Sequence, residues 1–144
     1  MKTQEFLKQL RHGDVVAAIR EAEKKTSGEI RVFVSRKDVD DPVAAAQAEF
    51  TRLGMTKTQQ RNGVLIYVAP ASRKFAVVGD EGVHQRCGDG FWREMASEMS
   101  GYFKQADYTQ GIIHSVHKAG ALLAEHFPCG PDDSDELPNE VEED

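Results

Sequence analysis

The apolar residues of this chain recur at two spacings, which separate predicted helices from a predicted strand. Residues 14–25 and 42–53 carry apolar side chains three or four positions apart, the spacing of a helix that buries one face. Residues 29–36 instead alternate between two faces, with branched aliphatic side chains on one of them, which is typical of a strand. A further short helix is predicted over residues 3–10.

The longest apolar stretch lies in the middle of the chain and predicts a β-hairpin. Residues 64–68 form an unbroken apolar run, the pattern of a strand that is covered on both faces. A Pro-Ala-Ser turn follows, and residues 74–78 form the returning strand. The hairpin ends in Gly79-Asp80-Glu81-Gly82, so that two adjacent carboxylates lie between two glycines.

Two more helices are predicted after the hairpin. Gly88-Asp89-Gly90 opens the first of them, and Asp107 is placed to cap the second, which ends before Pro128. Asp14 and Asp41 are placed to cap the two earlier amphipathic helices. A strand, a helix and a strand in succession imply a parallel pair joined by a right-handed crossover. We therefore expect an α/β sandwich, in which helices cover both faces of a small mixed β-sheet.

The negative charge of the chain is concentrated at its end. The formal net charge is −6, from 24 acids and 18 bases. Eight of the acids lie in residues 130–144, which carry no base, so 16 acids face 18 bases in residues 1–129. We expect residues 1–129 to form a single domain and residues 130–144 to be a disordered acidic tail, because the tail has almost nothing apolar to bury. The nearly neutral domain predicts no nucleic-acid partner.

Neither a membrane span nor a secretory signal is predicted. The sequence contains no run of about 18 apolar residues. Its first residues lack the apolar core of a signal peptide. Its two cysteines do not make a disulfide framework. We therefore expect a cytoplasmic protein.

Acidic residues at one end of the predicted sheet suggest a metal site. Asp80 and Glu81 follow the returning strand, at the end of the sheet where the first strand begins with Glu29. Asp89 follows at the start of a helix. Clustered carboxylates suit hard cations such as calcium. The same residues also suit ordinary turn and capping roles, and both interpretations remain open.

Four segments of the chain together resemble the TPM domain family, which has a thylakoid member linked to photosystem repair and bacterial members. They are SGEIRVFVSR, RLGMTKTQQRNGVLIYVAP, VVGDEGV and GYFKQADYTQGI, and they lie within residues 14–127. The resemblance implies an α/β/α sandwich and acidic residues that bind calcium or another divalent cation. It adds Asp107 to Asp80, Glu81 and Asp89 as a candidate ligand. It also implies phosphatase activity, which is attributed to some members.

Two His-x-x-Cys pairs form a second candidate metal site. They are His84 with Cys87 and His126 with Cys129, and together they would suit tetrahedral zinc if the last helix reaches the loop after the hairpin. Without that contact they are surface histidines, one partly buried thiol and one thiol in the tail. The neighbouring Arg86 is expected to lower the pKa of the Cys87 thiol.

No common nucleophile or phosphate-binding motif is present. The sequence has no Gly-x-Ser-x-Gly, no Gly-Lys-Ser/Thr phosphate loop and no Gly-x-Gly-x-x-Gly, so it indicates no catalytic residue. We expect a TPM-like binding or assembly module whose cofactor is a divalent cation, calcium first and magnesium or manganese next, and whose partner is another protein. A metal-assisted phosphatase acting on phosphomonoesters is the alternative. A zinc-stabilised structural domain is the second alternative.

Overall fold

The structure, a computed structural model, describes residues 1–88, 90–129 and 141–144. Its helices are α1 (Thr3–Gln9), α2 (His12–Glu23), α3 (Pro42–Arg52), α4 (Glu81–Cys87), α5 (Gly90–Lys104) and α6 (Tyr108–His126). Its strands are β1 (Glu29–Val34), β2 (Gly63–Ala69), β3 (Lys74–Gly79) and β4 (Val141–Glu143). Two single-turn 3-10 helices lie at Met55–Lys57 and Pro70–Ser72.

The four strands form one mixed sheet in the order β3-β2-β1-β4. β1 pairs in parallel with β2, with Ile30 opposite Val64, and α3 makes the crossover between them. β2 pairs antiparallel with β3, with Val64 opposite Gly79. The predicted parallel pair and the predicted hairpin are therefore both confirmed.

The two faces of the sheet pack against different helices. One face, which includes Ile30 and Ile66, packs against α1, α2, α5 and α6 in the larger core. The other face, which includes Phe33 and Tyr67, packs against α3 in a smaller core. Because both faces are covered, every residue of β1 and β2 is buried, and each large aliphatic side chain in them contributes roughly 1.5–3 kcal/mol. The predicted α/β sandwich is confirmed.

Residues 141–144 do not belong to a disordered tail, and the sequence prediction is wrong for them. Val141 pairs in parallel with Val32, so that β4 forms the edge of the sheet beside β1. Two acids of this segment bind bases of the domain. Arg31 donates to Glu142, and Arg36 donates to Glu143. Residues 130–140 lie outside the described residues, so the rest of the predicted tail stays a prediction.

The beginnings of the helices differ in part from the prediction. Asp41 caps α3, because its Oδ1 accepts a hydrogen bond from the backbone N–H of Ala44 at 3.1 Å. Asp14 does not cap α2, which begins two residues earlier at His12. It lies in the first turn instead, where its carboxylate is 3.0 Å from Arg11 Nε. The short helix α4, between β3 and α5, was not predicted.

Candidate functional site

The candidate site lies where β3 ends and α4 begins. Asp80 caps α4, and its Oδ1 accepts a hydrogen bond from the backbone N–H of Glu81 at 2.7 Å. The backbone N–H of Asp80 donates to the carbonyl of Gly63 at 2.9 Å, which extends the hairpin pairing past the end of β3. These contacts hold the Asp80 carboxylate at the end of the sheet, where its side chain is only 5% exposed.

Arg61 neutralises this buried carboxylate. Its Nε and Nη2 donate to the two Asp80 oxygens at 2.8 and 2.9 Å, which is the strong bidentate arrangement. Its Nη1 lies 3.5 Å from Glu81 Oε2, so that one guanidinium faces two carboxylates. The hydrogen bond and the charge of Asp80 raise the pKa of Arg61 above its usual range. The loop therefore holds two negative charges against one permanent positive charge.

The backbone around Arg61 and Gly82 brings these groups together. Arg61 lies in the left-handed region at φ 51°, which costs a non-glycine residue on the order of 1–2 kcal/mol. The backbone N–H of Gly82 donates to the carbonyl of Arg61 at 2.9 Å. A Cβ at Gly82 would lie 2.3 Å from the carbonyl oxygen of Gln60, so only glycine permits this approach. The turn before β2 and the start of α4 are thus tied together.

Asp107, which the family resemblance adds to this cluster, lies at the far end of the sheet. Trp92, near the start of α5, covers Gly79 at the end of β3, where a Cβ would lie 2.6 Å from the indole ring. Phe103, near the end of α5, packs edge-on against Phe75 near the start of β3, with ring centroids 5.2 Å apart. α5 therefore runs antiparallel along β3. Asp107 follows α5 and therefore lies near the start of β3, at the opposite end of that strand from the β3–α4 loop.

The structure thus brings together only part of the predicted ligand set. Asp80 and Glu81 are adjacent, and Glu29 is buried at the same end of the sheet, in register with Gly63. Asp89 lies outside the described residues. Among residues 1–88, 90–129 and 141–144, no group of three or more His, Cys, Asp and Glu side chains is arranged to hold a metal ion.

The end of α6 reaches α4, as the predicted zinc site requires, and Arg86 makes contacts there. Arg86 Nη1, on α4, donates to the carbonyl of His126 at the end of α6 at 2.7 Å. Its guanidinium also lies 4.6 Å from the centroid of the Phe127 ring. Within the described part of the chain the two His-x-x-Cys pairs do not form a ligand cluster.

The pKa of the Cys87 thiol is raised, and the prediction of a lowered value is wrong. Burial raises it first and the charge of Glu125 adds to the effect, while Arg86 opposes both. Arg86 itself is directed toward α6, where it binds a carbonyl and an aromatic ring, and its charge lowers the pKa of Cys87 by less than burial and Glu125 raise it. Cys87 is therefore mainly the protonated thiol near neutral pH.

Two residues of this end of the sheet were missed by sequence analysis. Arg61 directly precedes β2, and in an antiparallel hairpin the residue before the first strand lies near the residue after the second, so its proximity to Asp80 could have been inferred. Asn62 donates through Nδ2 to Ser27 Oγ at 3.2 Å. Its buried Oδ1 has no hydrogen-bond partner among the residues that the structure describes. It is an oxygen of the type that hard cations accept.

Known proteins share this architecture. The profile of the TPM domain family matches residues 1–122. This chain belongs to the TPM domain family. The chain is similar to the BA42 protein of the psychrophilic bacterium Bizionia argentinensis, whose NMR structure matches it with a TM-score of 0.85 and 40% sequence identity over 94% of this chain and 96% of that chain. No curated protein sequence matches it.

A second solved structure is similar to this chain in fold only. The N-terminal domain of the cg2496 protein of Corynebacterium glutamicum matches with a TM-score of 0.62 and 18% identity, over 89% of this chain and 82% of that chain. At that identity the likeness concerns architecture and not chemistry. As for membranes, every helix in the part of the TPM domain that the structure describes is too short or too polar to cross one.

Proposed function

We propose that this TPM domain is a binding module whose β3–α4 loop takes up a divalent cation, with calcium as the first candidate. One observation carries the proposal: two carboxylates, those of Asp80 and Glu81, share the single guanidinium of Arg61. Carboxylate oxygens are the preferred protein ligands of calcium. The local excess of negative charge favours a second cation, or one that replaces the arginine.

Arg61 acts in this proposal as an internal substitute for the cation. Its side chain is 43% exposed, so it can turn into solvent when a cation takes its place on Asp80, whose carboxylate is held by the cap of α4. A cation that enters must compete with Arg61. We therefore expect weak binding, with a dissociation constant on the order of 10⁻⁴–10⁻³ M. Asp89 remains a predicted further ligand, while Asp107 lies too far along the sheet to join this loop.

The alternative, hydrolysis of phosphomonoesters, has less support in this chain. Ser35 is fully buried and its Oγ donates to Asp144, and burial raises the pKa of the Cys87 thiol. Neither side chain is an activated nucleophile. The remaining route is water activated by a bound cation. We further propose a protein partner and a cytoplasmic location, both of which rest on the sequence.

The test is a calcium titration that follows the backbone amides of Gly79–Gly82 by NMR, with the unmodified chain and with Arg61→Gln. We expect shifts centred on these amides, and tighter binding by roughly tenfold in Arg61→Gln because the competing charge is gone. Arg73→Gln is the matched control, since Arg73 is also an exposed arginine with positive φ but lies in the β2–β3 turn. Localised amide shifts also distinguish this site from loose ion collection by the acidic end of the chain.

Amides of Gly79–Gly82 that stay unmoved at millimolar calcium, magnesium and manganese in both proteins would overturn the cation proposal. The phosphatase alternative is checked separately with para-nitrophenyl phosphate and the same three ions. A rate that saturates with this ester, requires the ion and disappears in Asp80→Asn would favour a hydrolase over a binding module.

A further inference from the structure

A cleft lies at the other end of the sheet, beside the β2–β3 turn. Its volume is about 520 Å³, within the range of roughly 300–1,000 Å³ that is usual for small-molecule sites. Its walls come from α1, the end of β2, the start of β3, α5 and the start of α6. The cleft is separated from the β3–α4 loop by the length of β3, so a ligand in the cleft would not touch the candidate cation site.

Aromatic rings in mutual contact form much of the cleft wall. The ring of Tyr108 lies 5.1 Å from that of Phe6 and 5.4 Å from that of Phe103, between centroids. Phe103 in turn packs edge-on against Phe75 at 5.2 Å. Because each ring is held by its neighbours and by elements of the fold, the apolar surface exists before any ligand binds. Binding therefore requires little free energy to order this surface.

All the charged side chains that line the cleft are positive. They are Arg73, Lys74 and Lys104, and no acid among the described residues lines the cleft with them. Lys74 Nζ donates to the carbonyl of Asp40 at 2.7 Å. Arg73 and Lys104 are exposed and form no ion pair within the described residues. Two cationic groups are therefore available beside an apolar wall.

We propose that this cleft binds a small amphipathic anion, a single apolar chain or ring that carries one carboxylate, phosphate or sulfonate group. The aromatic rings cover the apolar part, and the guanidinium of Arg73 and the ammonium of Lys104 bind the charged group. Aromatic walls can also attract cations, but three positive side chains without an acid disfavour a cation here. The two features of the cleft together select a ligand that is apolar at one end and negative at the other.

The test uses decanoate as the probe, at concentrations below those at which it forms micelles. We expect saturable shifts at the backbone amides of Ala69, Phe75 and Ser100, all of which line the cleft. Decyltrimethylammonium has the same chain with the opposite charge and should bind at least fivefold more weakly. Inorganic phosphate, which lacks the chain, should produce no saturable shift in the millimolar range.

Charge reversal at the rim provides the second comparison. Lys104→Glu should weaken decanoate binding roughly fivefold or more, and Lys57→Glu should leave it unchanged because Lys57 is an exposed lysine in the turn before β2. Ser100→Trp fills the cleft and should abolish binding, while an unchanged melting temperature shows that the variant is folded.

Three results would overturn the proposal. One is equal binding of decanoate and decyltrimethylammonium, which would indicate apolar contact without selection of charge. Another is decanoate binding that Ser100→Trp leaves intact, because the ligand would then lie elsewhere. The third is a response to vesicles that contain anionic lipid with none to dissolved decanoate, which would assign the patch to a membrane surface.

Discussion

Arg31 of the strand β1 and Glu142 of the edge strand β4 form an ion pair at 2.6 Å, in which the arginine side chain is 7% exposed and the glutamate side chain 27%. A second guanidinium nitrogen of Arg31 donates to the carbonyl of Leu53 at 3.4 Å. Glu142 is thus the acid that compensates a buried positive charge. Residues 141–144 are therefore part of the folded domain.

Glu142→Gln should lower the free energy of unfolding by about 1–3 kcal/mol, because it leaves the buried guanidinium of Arg31 without its negative partner. Equilibrium unfolding in urea measures this. Glu143→Gln is the matched control on the same strand, since Glu143 pairs with the exposed Arg36 at 3.2 Å and such a surface pair contributes about 0–1 kcal/mol. Equal losses in the two variants would contradict the role assigned to Glu142.

A chain that ends at Glu140 should melt several degrees lower than the full chain. It loses the pairing of β4 with β1 as well as the partner of Arg31, and a loss of about 2 kcal/mol corresponds to roughly 4–8 °C for a domain of this size. Calorimetry at low and high salt measures the shift. A melting temperature that does not change on truncation would show that the segment does not stabilise the fold.

The stability of the domain should fall as the pH drops below the usual carboxyl range, in part through Glu98. Hydrogen bonds from Lys118 and then from His114 hold the pKa of Glu98 below its usual value of 4.5. The unfolded chain therefore binds a proton at this group more readily than the folded chain does. The stabilisation by Glu98 is present above about pH 4.5 and is lost as the pH falls through the lower folded value.

Glu98→Gln tests this directly, because it should flatten the pH dependence of the melting temperature between about pH 3 and 5. Glu94→Gln is the control, since Glu94 lies on the same helix but is more exposed and sits 3.6 Å from Lys118. An identical pH profile for Glu98→Gln and the unmodified chain would show that Glu98 does not contribute to acid stability.

Gly82→Ala should destabilise the domain by about 2 kcal/mol or more, because its Cβ would lie 2.3 Å from the carbonyl oxygen of Gln60 and the backbone must move. The same movement should shift the side-chain resonances of Arg61, which is bound to Asp80. Gly101→Ala serves as the control, because the space around its Cβ in α5 is open and alanine favours a helix by about 1 kcal/mol. Destabilisation of equal size in both variants would argue against a specific close contact at Gly82.

The sequence by itself determined the parts of this protein that depend on local periodicity. The alternation in residues 29–36 and the apolar run in residues 64–68 predict β1 and β2, since a buried strand must present apolar side chains at fixed spacing. The same reasoning placed Asp80 and Glu81 together at the end of the hairpin, as the structure confirms. The order of these segments was enough to recognise the TPM domain.

Only the tertiary structure decided the relationships that join distant segments. Glu142 meets Arg31 across 111 positions of the chain, and Arg61 meets Asp80 across 19. An acidic segment looks disordered when it is considered alone, because the bases and the open strand edge that accommodate it lie elsewhere in the chain. The separation of Asp107 from Asp80 likewise depends on the direction in which α5 runs along β3. Helical periodicity indicates which face of α5 is buried but not where its end lies, because that direction is set by packing between elements.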